Sequence, residues 1–176
     1  FAWLPTILVE HAGMTPQQAG LLLSLFAFTG LPASLVVPVL IVRFRATTAL
    51  YVIGALGAVV GLLGLLLLPS PAIVWLWVLL FGLAGLLFPL ALVLISVRAR
   101  EPETAVALSG FVQSAGYVLA AVFPFLLGVV HTTTGGWQVP LIVLTALLVA
   151  SIPAGIYAGR PVTVEAAWER RHGRRW

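Results

Sequence analysis

The sequence predicts an all-α integral membrane protein, and three observations carry that prediction. Five apolar segments, at about 17–42, 48–68, 72–97, 105–130 and 137–159, are each long enough as helices to cross a hydrocarbon layer ~30 Å thick. Hydrophobic residues make up 61% of the 176 and charged residues only 8%, with a mean hydropathy of +1.15. A soluble fold of this size could not hide so much apolar side chain. The third observation is that the nine cationic residues, all of them Arg, fall at alternate ends of the apolar segments.

Threaded as a serpentine, the segments put Arg43, Arg45, Arg98, Arg100, Arg160 and the four arginines of the tail on one side. The connections at 11–16, 69–71 and 131–136, on the other side, hold no Arg. This split predicts that the arginine side and the C-terminus face the cytoplasm. The isoelectric point near 10.7 is therefore topological. It points to anionic lipid headgroups rather than nucleic acid. Cys is absent, which rules out disulfides and thiolate chemistry.

Taken in order, the chain opens on an apolar run that ends at Glu10-His11-Ala12-Gly13. About nine residues are too few to span. The run over 1–10 is read as the outer half of a helix whose inner half is missing, with a re-entrant or buried half-helix as the alternative. Thr15-Pro16-Gln17-Gln18 then offers Thr as N-cap, Pro at the first helical position and Gln at the third, a capping box that starts the next helix at about Pro16. Pro32 and Pro38 lie inside that segment as candidate bends.

In the 48–68 segment, Gly54, Gly57, Gly61 and Gly64 recur at intervals of three and four, a stripe that lets another backbone approach closely. Pro69-Ser70-Pro71 ends it. Gly82, Gly85 and Pro89 mark a bendable stretch in the 72–97 segment, and Pro124 another in the 105–130 segment. Glu101-Pro102-Glu103 starts the latter with acids where the helix dipole favours them. His131-Thr132-Thr133-Thr134-Gly135-Gly136 reads as a loose outer loop. Trp75, Trp77 and Trp137 at outer ends, and Tyr51 and Tyr157 at inner ends, fit two interfacial aromatic belts. The tail over 161–176 has two readings, a short amphipathic surface helix around 165–171 or an irregular basic tail near headgroups.

Polar groups inside the spans are few. Ser24 and Phe28 stand one turn apart on the 17–42 segment, and Ser109, Gln113 and Tyr117 form one face of the 105–130 segment. Gln113 is the sharpest of them. An amide in hydrocarbon costs several kcal/mol unless hydrogen-bonded, so Gln113 must meet another helix, water or a ligand. Trp3 also falls near mid-depth, and with Ser24, Phe28, Gln113 and Tyr117 it completes the candidate substrate cavity. No ionisable residue lies well inside a complete span, where proton or charged-solute paths usually leave one. Glu10 and His11 are the nearest titratable pair. Metalloprotease, intramembrane aspartate, nucleotide-binding and nucleophile-elbow motifs are all missing, which argues against an enzyme and against a metal or organic cofactor.

Three stretches are similar to a known family: Trp3-Leu4-Pro5 with Ile7-Leu8-Val9-Glu10, the run Ala19–Phe26 with Gly30-Leu31-Pro32-Ala33-Ser34, and Leu108–Tyr117. They resemble the C-terminal six-helix half of a major facilitator superfamily transporter, near the bacterial cyanate-permease and 2-nitroimidazole-transporter branch. The resemblance implies a six-helix half bundle over 1–160 with its first helix truncated, followed by a cytoplasmic tail over 161–176, in a bacterial inner membrane. It implies that the partial helix and the segments near 17, 72 and 105 line a central cavity, while those near 48 and 137 stand outside. Secondary transport of a small polar or anionic solute is the expected function, with drug or metabolite efflux and a non-transporting membrane anchor as alternatives. The implied partners are the solute, the bilayer, an N-terminal six-helix half of the same chain and protons as a candidate coupling ion.

Overall fold

The computed structural model describes residues 2–44 and 46–173, and among these all regular structure is helical. Helix α1 spans Leu4–Glu10, α2 Pro16–Phe44, α3 Thr47–Leu67, α4 Val74–Gly82, α5 Leu87–Val97, α6 Pro102–Thr134, α7 Gln138–Ala158 and α8 Val164–His172. A 3₁₀ turn at Leu83–Leu86 joins α4 to α5. Five units are long and apolar enough to cross a membrane: α2, α3, the α4–α5 pair taken as one, α6 and α7. Arg45 lies outside the described residues, as do Arg174 and Arg175.

Local chemistry explains most boundaries. The Thr15 N–H donates to Gln18 Oε1 at 3.0 Å and the Gln18 N–H to Thr15 Oγ1 at 3.3 Å, so the capping box closes in both directions. Helix α2 runs on through Pro32 and Pro38 without interruption. The break comes instead between α4 and α5. Pro89 has no N–H for the carbonyl one turn back, and the chain tightens there, with the Leu87 N–H bonding Ala84.

Two expectations are corrected at the far end of α6. His131–Thr134 is helix rather than loop, and α6 stops only at Gly135, whose φ of 71° suits a residue without Cβ. The threonine run is helical because each hydroxyl finds a carbonyl in the preceding turn: Thr132 and Thr133 bond Val129 at 2.9 Å, and Thr134 bonds Val130 at 2.7 Å. Of the tail, Val164–His172 is helix. Thr163 caps it by accepting from the Ala166 N–H at 3.3 Å, and Gly173 closes it in the left-handed region.

Helix α3 is the hub of the bundle. Its glycine face lies against α4 and the 3₁₀ turn, and it also packs on α7. Ile53, Leu56, Val60, Leu63 and Leu67 form a second stripe, open and wholly apolar, as a lipid-facing surface requires. Helix α2 packs on α1, α4, the 3₁₀ turn and α5, whereas α6 touches the bundle mainly through α7 and α5. Only 6% of the most apolar stretch of α6 is buried, against 56% in α3. One buried cluster, including Leu8, Leu65, Val74, Trp137 and Leu141, fills the half near Glu10, and a smaller one of Val37, Ile41, Leu50 and Leu90 fills the half near the arginines.

The aromatic-belt reading holds only in part. Trp75 and Tyr157 stand exposed, but Trp137 is buried and Trp77 lies over Gly64, donating to the Leu68 carbonyl at 3.1 Å. Tyr51 lies over Gly155 and donates to the Ser151 carbonyl at 3.0 Å, which ties α3 to α7. Packing against glycine turns Trp77 and Tyr51 inward, whereas Trp137 packs against Trp3 and His131.

Candidate functional site

The open faces of α2 and α6 carry most of the polar residues singled out above. On α6, Gln113 Nε2 donates to Ser109 Oγ at 2.6 Å, a bond within one helix. Among the described residues none donates to Gln113 Oε1, which leaves the amide oxygen available as an acceptor. Tyr117, one turn on, is 61% exposed. Gly110 and Gly116 beside this face have nothing near the position a Cβ would take, so these glycines serve no contact within the described bundle.

On α2, Ser24 spends its hydroxyl on the Gly20 carbonyl at 3.0 Å, and Phe28 is exposed. Phe28 and Pro32 line an apolar groove of about 510 Å³ between α2 and the α4–3₁₀ junction. Helices α2 and α6 share no substantial packing, so the structure does not bring Ser24 and Phe28 together with Gln113 and Tyr117 in one closed pocket.

Trp3 is placed apart from the other four. It is half-buried inside the bundle, its Nε1 donates to the Pro124 carbonyl at 2.8 Å, and its ring lies over Gly128 and 5.6 Å from Trp137. It borders a small apolar cavity of about 110 Å³ with Ile7, Leu62, Leu65 and Leu141.

Three features escaped the reading of the sequence. Thr29 Oγ1 lies 2.6 Å from the Phe26 carbonyl and 3.0 Å from that of Gly82. One hydroxyl hydrogen serves one acceptor well, so Thr29 divides it between its own helix and the start of the 3₁₀ break. The mid-span threonine and the glycine were the only signals.

At the end away from the arginines, Glu10 Oε2 accepts from Trp137 Nε1 at 2.7 Å and lies 3.2 Å from His131 Nε2. The His131 ring stacks on Trp137 with centroids 4.1 Å apart. This cluster joins α1 to α6 and α7, and His131 reaches it only because α6 continues one turn further than its composition suggested. His11 Nε2 is buried nearby with no hydrogen-bond partner among the described residues.

The arginine end is organised around Glu165 and Arg98. Glu165 is 1% exposed, and its Oε1 accepts from the backbone N–H of Arg100 at 2.8 Å and of Glu101 at 3.3 Å, the entry to α6. Burial pushes this carboxyl up, but its own backbone N–H, those of Arg100 and Glu101, and the Thr104 hydroxyl together outweigh burial and hold it below its usual value. Arg98 Nη2 donates to the Gly159 carbonyl at 2.9 Å and more loosely to that of Ala158 at 3.4 Å, at the C-terminal end of α7 where the helix dipole favours a cation. Burial lowers the Arg98 pKa, and its Nε has no hydrogen-bond partner among the described residues. Arg100 pairs with Glu169 at 3.4 Å, while the Arg160 guanidinium sits 5.0 Å from the Tyr157 ring centroid. Thr48 lies against Gly159, which puts the turn after Arg43 at this same end of the bundle.

The chain matches the family model of the Major Facilitator Superfamily over residues 1–175. It is 38% identical over 162 residues to the uncharacterized transporter YycB of Bacillus subtilis (strain 168), covering 90% of this chain and 40% of that protein. With the 2-nitroimidazole transporter of Escherichia coli (strain K12) it shares 38% identity over 159 residues, again 90% of this chain and 40% of the relative. A putative anionic 4-hydroxy-benzoate permease of Thauera aromatica is 39% identical over 124 residues, 70% of this chain and 71% of the permease. The chain thus spans less than half the length of the first two relatives. No solved structure matches it.

Proposed function

The chain belongs to the Major Facilitator Superfamily, a family of carriers rather than enzymes, and from that membership we propose that it is the C-terminal six-helix half of a secondary transporter. In this reading a second six-helix half faces the open side of α2 and α6, and the two rock about a solute held between them. The observation that carries it is the state of α6. A 33-residue apolar helix that is hardly buried, yet carries Ser109, Gln113 and Tyr117 on one face, suits a helix that lines a polar cavity between two halves. Helix α1 counts as the outer part of the first of six spans, and the α4–α5 pair as one span.

The solute class is a small polar or anionic molecule. The cavity face offers an amide, hydroxyls and aromatic rings rather than charges, and relatives at 38–39% identity include proteins named for 2-nitroimidazole and for anionic 4-hydroxybenzoate. The likeness to the nitroimidazole transporter also supports assignment to that branch of bacterial permeases. The arginine end, with α8, faces the cytoplasm, as the positive-inside rule directs. Protons are a candidate coupling ion.

The test is uptake by the whole protein in proteoliposomes, with labelled small aromatic acids and small inorganic anions compared with neutral polar solutes, each with and without an imposed pH gradient. Saturable, gradient-dependent uptake of a member of the first two classes is the expected result. Absence of saturable movement of any solute in either direction overturns the transport reading in favour of a membrane anchor.

A further inference from the structure

Beside α8 lies a crevice of about 520 Å³ whose walls include Arg98, Arg160 and Arg170 together with Leu108, Tyr157 and Val162. We infer that this crevice binds the phosphate headgroup of an anionic phospholipid, with the guanidinium groups around the phosphate and the glycerol end of the lipid against the apolar wall. The inference rests on the chain spanning a bilayer and is independent of which solute is carried.

Charge is the first argument. Helix α8 sorts its side chains by face. Glu165 and Glu169, one turn apart, turn to the α5–α6 connection, where Glu165 is capped by the Arg100 and Glu101 amides and Glu169 pairs with Arg100. Ala167 and Arg170 line the crevice instead. Both acids of the helix are thus committed elsewhere, and no carboxylate lines the cavity. Neither Arg160 nor Arg170 forms an ion pair with a described residue. The Arg160 guanidinium sits over the Tyr157 ring, its Cζ 5.0 Å from the centroid, a contact that uses none of its N–H donors in a hydrogen bond to a carboxylate and leaves them for an anion. Arg98 bears its charge at a partly desolvated position, with two α7 carbonyls as its hydrogen-bond partners, so a nearby anion would relieve it.

Location is the second argument. Tyr157 and Ala158 are the last residues of α7 and Arg98 follows the last residue of α5. The crevice therefore opens where two spans leave the hydrocarbon, at headgroup level. A soluble anion would need only the guanidinium groups; the Leu108, Tyr157 and Val162 wall adds apolar surface that suits the glycerol and first methylenes of a lipid. Basic pockets between spans at a cytoplasmic surface recognise anionic headgroups by this combination.

Native mass spectrometry of the whole purified protein in detergent tests it, with phosphatidylglycerol compared with phosphatidylcholine of the same acyl chains. The tightest phosphatidylglycerol adduct should form at roughly tenfold lower lipid concentration than the phosphatidylcholine adduct. It should be lost in the Arg160→Gln, Arg170→Gln double variant, and also in Ala167→Trp, which fills the crevice without changing charge. All three positions are exposed, so folding should survive, and a melting curve for each variant checks this. Equal binding of the two lipids overturns the inference, as does an adduct that survives both variants. Loss in the arginine variant but not in Ala167→Trp would assign the effect to diffuse surface charge and overturn the crevice. Displacement of the lipid by inorganic phosphate alone would overturn the lipid in favour of a free anion.

Discussion

Gly61 of α3 and Phe81 of α4 meet backbone to backbone: a Cβ on Gly61 would stand 2.8 Å from the Phe81 Cα and 2.6 Å from the Trp77 carbonyl oxygen. Neither obstacle is the end of a flexible side chain, so the helices themselves would have to separate. One turn away, Gly64 lies beneath the Trp77 ring, a contact of backbone with side chain. In lipid, where helices gain little by hiding apolar surface from one another, this close contact is a principal source of cohesion.

Gly61→Leu should therefore destabilise the bundle by about 1–3 kcal/mol, the range for overpacking a fitted contact. Val60→Leu, on the exposed stripe of the same helix, should change little. Melting temperature and monodisperse yield in detergent, measured side by side, decide the matter. Equal behaviour of the two variants would mean that α3 and α4 do not meet as described.

The Glu165 cap predicts a pH dependence of definite sign. Its folded pKa lies below the usual 4.5, so the folded protein holds this proton less readily than the unfolded chain does. Its contribution is present above about pH 4.5 and disappears as pH falls through the lower folded value. Nitroxide labels at the exposed positions Glu103 and Arg171 should keep one narrow distance distribution from neutral pH down to about pH 5, broadening only in stronger acid. Glu165→Ala should broaden it at neutral pH, because the Arg100 and Glu101 amides lose their acceptor. A release of α8 between neutrality and pH 5.5 would argue that a different group holds it.

Much of this architecture was legible because it depends on chemistry local to one helix. The capping box at Thr15 and Gln18, the glycine stripe and the end of α3 before Pro69 follow from a few adjacent residues. What was not legible depends on azimuth and on partners far along the chain. Hydropathy gives the height of Trp137 in the layer but not that its indole reaches Glu10, 127 positions earlier. The threonine run after His131 looked like a loop because its polarity was visible and its back-bonding to Val129 and Val130 was not. For the candidate site, spacing put Ser109, Gln113 and Tyr117 on one face of one helix, yet it could not show that the Gln113 amide would bond Ser109 rather than another helix.

Orientation can be read directly by labelling. Ser70 and Thr133 are exposed at the end opposite the arginines, and Glu103 is exposed at the arginine end, whereas Thr47 is too buried to report. Single cysteines at Ser70 and Thr133 should react with an impermeant thiol reagent added outside intact cells, and one at Glu103 only after the cells are opened. The reverse pattern would place α8 outside and remove the positive-inside argument.

Gln113→Leu in the whole protein should weaken solute binding while leaving folding nearly unchanged, and the structure separates these two effects more cleanly than the sequence could. Because the Gln113 Nε2 bond goes to Ser109 in its own helix, the amide ties no two helices together. Only 6% of the apolar stretch of α6 is buried and Gln113 itself is part-buried, so leucine of similar bulk at 113 should disturb little packing. What it removes is the Oε1 acceptor, together with the Nε2 donor to Ser109, whose hydroxyl can still donate to the carbonyl one turn back. Loss of one solute hydrogen bond should cost on the order of 1–2 kcal/mol, about tenfold in affinity. Tyr117→Phe, one turn along the same face, should show a smaller loss if the phenol contacts the solute and none if only the ring does. Ligand titration of wild type and both variants, each beside a melting curve, reads the two effects separately. A lowered melting temperature with unchanged affinity would show that the α6 polar face meets another helix of the other half and does not line the solute path.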